Sequence, residues 1–410
     1  MPRPRRDEVL PPDEVCFAHC YNRFVQGSYL SGVDQATGKD YSYRKDWITQ
    51  RIEQLASIFL IDILAFAVMD NHLHLVVRTC PDEVLQLSDR DVAIRWLSLH
   101  PGYHLDEFVC IDPTDAQILA FLAEPENILR VRMALSSPSA FMKDLCEPIA
   151  KRANAEDGRT GHVWEGRFKA ERLLDSLAIL VCVAYVDLNL LRAGIAMTLE
   201  GSDYTSIQAR ILGSQNQMAP SLAYSKVAIS DQEVARRIKE VPQAQLRKRM
   251  EIARKQAERR MVFKDAWLAQ LAIDKKQSVN PTDSHLSKNG LRATDKGFLT
   301  VNLDQYTKIL MESLRFRPGK ASALAPSREL VEVSKSVGVD PSNVCWLIND
   351  FKKIFRRGYR VGSPESMRKE AARFGRKRTS NTKVSRLFYS KQAVGFDELQ
   401  RKYIAASKCQ

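Results

Sequence analysis

No apolar run in this sequence is long enough to cross a bilayer. Of its two most apolar stretches, 58–69 is interrupted by Asp62 and 176–186 is closed by Asp187. Both fall short of the ~18 residues that a span requires. This reads as a chain with no membrane partner. The eight cysteines (16, 20, 80, 110, 146, 182, 345, 409) show no repeated C-x-x-C spacing. That argues against a disulfide scaffold and for reduced cytosolic thiols, mostly buried as small hydrophobes. Met1 is followed by Pro2, Arg3, Pro4, Arg5 and Arg6, with no apolar leader core. Internal repeats are also missing. With 44% apolar and 27% charged residues, the chain is not wholly disordered or collagen-like.

What the sequence does have is an uneven charge. Residues 216–410 carry 40 Lys+Arg against 19 Asp+Glu, whereas residues 1–215 carry 22 against 30. An acidic front half joined to a strongly basic back half points to a polyanion partner, nucleic acid above all. The plainer alternative is a solvated basic surface that aids solubility.

Patterning divides the chain. Residues 1–14 read as a flexible N-terminus. Residues 15–22 (VCFAHCYN), 61–69 (IDILAFAVM) and 72–78 (HLHLVVR) read as strands, the last two as a hairpin turning at Asp70-Asn71. Residues 45–59 place Trp47, Ile48, Ile52, Leu55 and Ile58 at helical spacing. Residues 80–138 read as an insertion with helical fragments at 91–98 and 115–123. Residues 140–154 read as a helix that Pro148 must kink or restart. Residues 162–172 read as a strand. Asp175 then caps a helix running to Ala193, with Gly194 as its stop. This order predicts an α+β layer, one sheet with helices on one face. It gives a domain over 15–213, a charged helical linker region over 214–299, and a basic, mainly helical region over 300–410. Within the last, 329–355 resembles a helix-turn-helix pivoting at Gly338, whose second helix presents Ser342, Asn343 and Trp346. Such two-helix turns are also common in proteins that do not bind DNA. Residues 351–390, with 13 Lys+Arg against 2 Asp+Glu, suit an electrostatic anchor for DNA.

Three places carry chemistry. On a strand, His72 and His74 face the same side, so they are either a metal clamp or, in part, a hydrogen-bonded core. On the helix, Tyr185 and Asn189 stack one turn apart. An isolated Tyr there is as well explained as a tethered core residue. In 161–169 (GHVWEGRFK), alternation sets Glu165, Arg167 and Lys169 on one face and His162, Trp164 and Phe168 on the other. Arg167 and Lys169 suit phosphate oxygens, or else form the solvated face of an edge strand. Trp164 is either a platform for a base or core. His19 is either a partner behind the His pair or a satisfied strand histidine. A zinc site at Cys16 and Cys20 is rejected, because four strand steps separate them by ~13 Å.

Taken together, the blocks CFAHCYNRFVQG, AVMDNHLHLVV, AFMKDLCEPIAKRAN, RTGHVWEGRFKAERLLD and AYVDLNLLRAGIA, the last followed by SDYTSIQARI, resemble the REP-associated tyrosine transposases. These are single-tyrosine members of the HUH endonuclease class. The resemblance spans residues 15–212, about half the chain. It departs from the family where Asp70 replaces the usual proline before Asn-His, and where Asn189-Leu190-Leu191 replaces Asn-Pro-Val. It implies a HUH-type antiparallel sheet of ferredoxin- or RRM-like form. It implies a divalent ion, Mg2+ or Mn2+, held by His72, His74 and Asn189, with Tyr185 as the nucleophile. Arg23 lies in the family's first-strand motif and is a candidate DNA contact. The implied activity is cleavage and rejoining of single-stranded or hairpin DNA through a 5′-phosphotyrosine, by a cytoplasmic, nucleoid-associated monomer or homodimer. The alternatives are a domesticated protein that binds or nicks DNA at repeat hairpins, a regulator with a dead site, and a metal hydrolase that uses water.

Overall fold

The computed structural model describes residues 4–25, 31–34, 37–100, 113–221, 261–274, 284–316, 325–355, 358–375 and 381–392. Three apolar stretches fold as strands where the pattern placed them: β1 (Phe17–Arg23), β2 (Ile61–Val68) and β3 (His72–Thr79). Asp70 and Asn71 make the two-residue connection of the β2–β3 hairpin, and the Met69 N–H donates to His72 O at 2.9 Å. β4 is Lys169–Leu173, shorter than the 162–172 expected. In the preceding segment Val163 and Trp164 are buried in succession and Glu165, Gly166 and Arg167 are exposed in succession. The period of two is therefore lost, and only a single bridge from Trp164 to Phe24 remains.

The helices of the front half are α1 (Arg6–Val9), α2 (Arg44–Ile58), α3 (Pro81–Val84), α4 (Asp89–Leu99), α5 (Asp115–Leu122), α6 (Pro125–Ala134), α7 (Pro138–Asp157), α8 (Ser176–Asp187), α9 (Asn189–Arg192) and α10 (Ser206–Ser214). The stretch 80–138 is thus largely helical where described. α7 continues through Pro148 as one element, stopped by Gly158 at φ 59°. Residues 4–14 are packed rather than loose. They carry α1, and Val9 and Leu10 enter the core.

Residues beyond 216 add a small ribbon, β5 (Met218–Pro220) with β6 (Met261–Phe263). The helical reading of the 214–299 region therefore fails for 261–274, and residues 222–260 and 275–283 lie outside the described residues. There follow α11 (Leu303–Arg315), α12 (Arg328–Val337), α13 (Pro341–Ile354), β7 (Arg360–Val361), α14 (Pro364–Arg373) and α15 (Thr382–Phe388). The five-stranded sheet has the order β2-β3-β1-β4-β7. It is antiparallel except where β7 joins β4 in parallel.

Alternation assigns the two sheet faces. Ala18, Cys20, Leu73, Leu75 and Val77 face α2 and α7, where Ile48, Ile52 and Leu55 are fully buried. Each such aliphatic contributes ~1.5–3 kcal/mol on burial. The opposite face carries His19, Tyr21, His74 and Glu171, and α8 packs across it with the C-terminal helices behind. Helices therefore cover both faces, not one. α8 itself packs on the second face, α13 packs on α8 behind it, and β7 extends the sheet.

The turn and two helices expected over 329–355 are present, with Gly338 at φ 67° and Asp340 capping α13. Yet α13 does not present its predicted residues as a groove reader. Asn343 is buried and donates to Ser390 O and Gln392 O, and Trp346 packs against Phe316 and Phe388. Of the three, only Ser342 is exposed.

Asp175 caps α8 by accepting from the Ala178 N–H at 2.9 Å. The helix expected to reach Ala193 is divided at Leu188 (φ −90°, ψ 0°) into α8 and α9, and Gly194 at φ 70° ends it. A Cβ added at Gly194 would meet nothing within 4 Å. Gly194→Ala should thus cost only the left-handed backbone penalty, about 1 kcal/mol. In urea this is a lower unfolding midpoint at unchanged slope.

Candidate active site

The site is built on the α8-facing side of β1, β3 and β4, and its centre is a buried chain of polar groups. The Glu171 carboxylate accepts from His19 Nδ1 at 3.1 Å and from Lys352 Nζ at 2.8 Å. His19 Nε2 meets His74 Nδ1 at 2.9 Å. These contacts fix the proton positions. A carboxylate only accepts, so His19 Nδ1 carries a proton and its Nε2 accepts. His74 must then donate from Nδ1, which leaves the lone pair of its Nε2 free. His72 reaches the same state independently, since its Nδ1 donates to Asn71 Oδ1. The His72 and His74 rings stand nearly perpendicular, with centroids 4.7 Å apart.

Burial pushes the His19 and His72 imidazoles down to about 4, and His74 well below its ordinary value. All three are therefore neutral at pH 7, the form that can ligate a metal. Burial alone would raise the Glu171 carboxyl, but Lys352 and the His19 hydrogen bond outweigh it and hold the group below its usual range. Lys352 also lies 3.5 Å from the Tyr21 ring centroid.

Tyr185, on α8, sits over this chain. Its ring centroid is 5.9 Å from that of His74, 6.4 Å from His19 and 5.4 Å from Phe351 of α13. Burial pushes its phenol up to about 12, with Arg192 pulling the other way. The Tyr185 ring thus lies beside His74, and His74 beside His72. Residue spacing had paired His72 with His74 and Tyr185 with Asn189, and only the family resemblance joined the two pairs. Asn189 follows at the start of α9, with its side-chain Nδ2 buried and unpartnered.

Arg23 ends β1 opposite His72, Lys169 begins β4 opposite Tyr21, and Arg167 precedes it. All three are exposed. None has an ion pair among the described residues. Trp164 is different: its indole N–H donates to Cys146 O at 2.9 Å and its ring packs on Phe24 at 4.5 Å. It packs as a core residue.

No group of three or more His, Cys, Asp or Glu among the described residues could hold a metal ion. The neutral imidazoles of His72 and His74, each with a free Nε2, are the donors this face offers a divalent ion.

Sequence reasoning missed Glu171, Phe351, Lys352 and Arg192. Glu171 lies in phase with Lys169 on β4, so alternation alone would have placed it on the His face. Phe351 and Lys352 gave no local signal, since Lys352 is 181 residues from its partner Glu171.

No family model matches the sequence, and no curated protein matches it. Among solved structures, one of a REP-associated tyrosine transposase bound to a REP hairpin is similar over 58% of this chain and 100% of that chain. Its identity is 12% and its TM-score 0.30, a likeness too low to define the fold or the site. The described residues define an α+β protein in which a half-buried Tyr185 and His72 adjoin the buried His19 and His74. No described helix is long and apolar enough to cross a membrane.

Proposed function

We propose that this chain is a metal-dependent, single-tyrosine DNA strand transferase of the HUH type. Its substrate would be single-stranded or hairpin DNA, with Tyr185 as nucleophile. The observation that carries the reading is the packing of Tyr185 against His74, beside two imidazoles that are both neutral and both free at Nε2. The strand order β2-β3-β1-β4, with α2 and α7 as connections on one face, supports a ferredoxin- or RRM-like layer with the His-x-His strand at its centre.

When bound, Mg2+ or Mn2+ would withdraw charge from the scissile phosphate. His72, His74 and Asn189 would hold it. Tyr185 attacks phosphorus, its Oη–P bond forming as the P–O3′ bond breaks. The product is a 5′-phosphotyrosine and a free 3′-hydroxyl. Because the phosphodiester link is conserved, a second 3′-hydroxyl can rejoin it without ATP. Arg23, Arg167 and Lys169 would pair with phosphates flanking the cut.

The test is denaturing electrophoresis of the full chain with labelled single-stranded hairpin DNA and Mn2+. A labelled band at protein mobility is expected, and its absence across a panel of hairpins sinks the reading. Cleavage without rejoining would instead favour a nicking protein that no longer transposes.

The tautomer chain gives a separate prediction. Glu171→Gln replaces an obligate acceptor with a group that can also donate, so His19 no longer fixes which His74 nitrogen carries the proton. Mn2+ affinity should fall about 10–100-fold, as measured by calorimetry on the DNA-free protein.

A further inference from the structure

Beside the nucleophile, two buried N–H donors lack any acceptor: Asn189 Nδ2 and Arg192 Nε. Asn189 and Arg192 are the first and last residues of α9, and Arg192 lies over the Tyr185 ring at the end of α8. An orphaned buried donor is destabilising, the more so when it is charged. Arg192 has only weak compensation. Its Nη1 donates to Asn349 O at 3.2 Å and its Nη2 to Tyr185 O at 3.4 Å, and its guanidinium carbon lies 5.0 Å from the Tyr185 ring centroid. No carboxylate pairs with it among the described residues. Asp350, on α13, is taken by Lys353 at 2.6 Å. The buried Arg78 and Arg360 are matched by Asp62 and Glu370, whereas buried Arg210 also has an unpartnered Nε and donates from Nη2 only to Leu64 O. What sets Arg192 apart is its place over the Tyr185 ring.

We propose that Asn189 and Arg192 form the seat of the scissile phosphate, an inference that rests on the strand-transfer reading above. An anion with several acceptor oxygens beside Tyr185 would give both donors a partner. A phosphodiester meets this description, and an arginine fork matches its non-bridging oxygens. The exposed cations Arg23 and Lys169 near the same sheet face favour a polyanion over a lone carboxylate. The Asn189 amide can serve both roles, Oδ1 toward an ion and Nδ2 toward the phosphate. During transfer the Tyr185 Oη–P bond forms, P–O3′ breaks and the phenolic proton ends on the 3′ oxygen. The phosphodiester charge is unchanged throughout, so one fixed cation serves substrate and intermediate alike.

The experiment uses the full chain without metal and two probes. Inorganic phosphate is followed by calorimetry and thermal shift, and a fluorescein-labelled single-stranded DNA hairpin by anisotropy across a salt series. Arg192→Met should weaken phosphate binding about tenfold or more and lower the salt slope for DNA by about 0.7. It should also leave the phosphate-free protein at least as stable as wild type, because the lost charge had no partner. Arg192→Lys should recover the slope but only part of the phosphate affinity. If Arg192→Met melts early yet responds to phosphate as wild type does, the residue is a strut and the seat is wrong. Should that variant fail to fold, Asn189→Ala decides: unchanged phosphate affinity overturns the proposal. Adduct formation in Arg192→Met equal to wild type would sink the seat while leaving strand transfer intact. Arg192-dependent phosphate binding with no wild-type adduct on any hairpin would do the reverse.

Discussion

Tyr185→Phe should abolish the covalent protein–DNA band while leaving DNA binding within about threefold of wild type. Removing the nucleophile of a covalent mechanism lowers turnover by about a thousandfold or more, which puts the band below detection. The control on folding is unusually clean here. The Tyr185 hydroxyl has no hydrogen-bond partner among the described residues, whereas its ring packs on His74 and Phe351. Phenylalanine keeps those ring contacts and strands no buried group. The denaturation midpoint should therefore be unchanged or slightly raised. A water-using hydrolase built on the same imidazoles would keep cutting in this variant, because its attacking oxygen is not the phenol. Persistent cleavage by Tyr185→Phe would thus reject the phosphotyrosine route, and loss of cleavage together with loss of fold would leave a structural tyrosine as the explanation.

Much of the sheet was legible because its signals are local. Residues 61–78 show an apolar run, a two-residue turn and a second apolar run, and they fold as β2, the Asp70-Asn71 connection and β3. His72 and His74 share a face for the same reason: strand geometry has a period of two. Tyr185 and Asn189 were found through helical spacing. What was not legible depends on chain return. Nothing near Glu171 foretells that α13 will cross α8 and insert Lys352. The misreading of α13 as an exposed recognition helix has the same source. A helix with Gly338 before it and basic residues after it has a DNA reader's local pattern. Its apolar side, Val344, Leu347, Ile348 and Phe351, was nevertheless free to bury itself, and it does. Trp164 shows the limit of alternation. Its face was predicted from a strand that 162–168 does not form.

Lys352→Met should be among the most destabilising single changes in the described chain. The Lys352–Glu171 pair lies on the sheet face, with the Glu171 side chain 6% exposed and that of Lys352 24% exposed. Removing one member of a buried pair leaves the other charge uncompensated, at a cost of about 3–5 kcal/mol. The partial exposure of Lys352 places the expected value near 3 kcal/mol. Methionine keeps most of the aliphatic stem, so lost packing is a minor part. The pH dependence identifies the cause. In the wild type Glu171 is held below the usual glutamate range. It therefore contributes stability that is full above the unfolded-state value and is lost as pH falls through its folded one. Without Lys352, burial dominates and the carboxyl moves above the unfolded value, so the variant gains relative stability as Glu171 takes up a proton. Both effects narrow the gap between the proteins on acidification. Urea unfolding should show the largest deficit near pH 8 and a clearly smaller one near pH 5. A deficit that stays constant across that range would mean that Lys352 acts through packing on Tyr21, and that the Glu171–His19–His74 chain keeps its proton order without it.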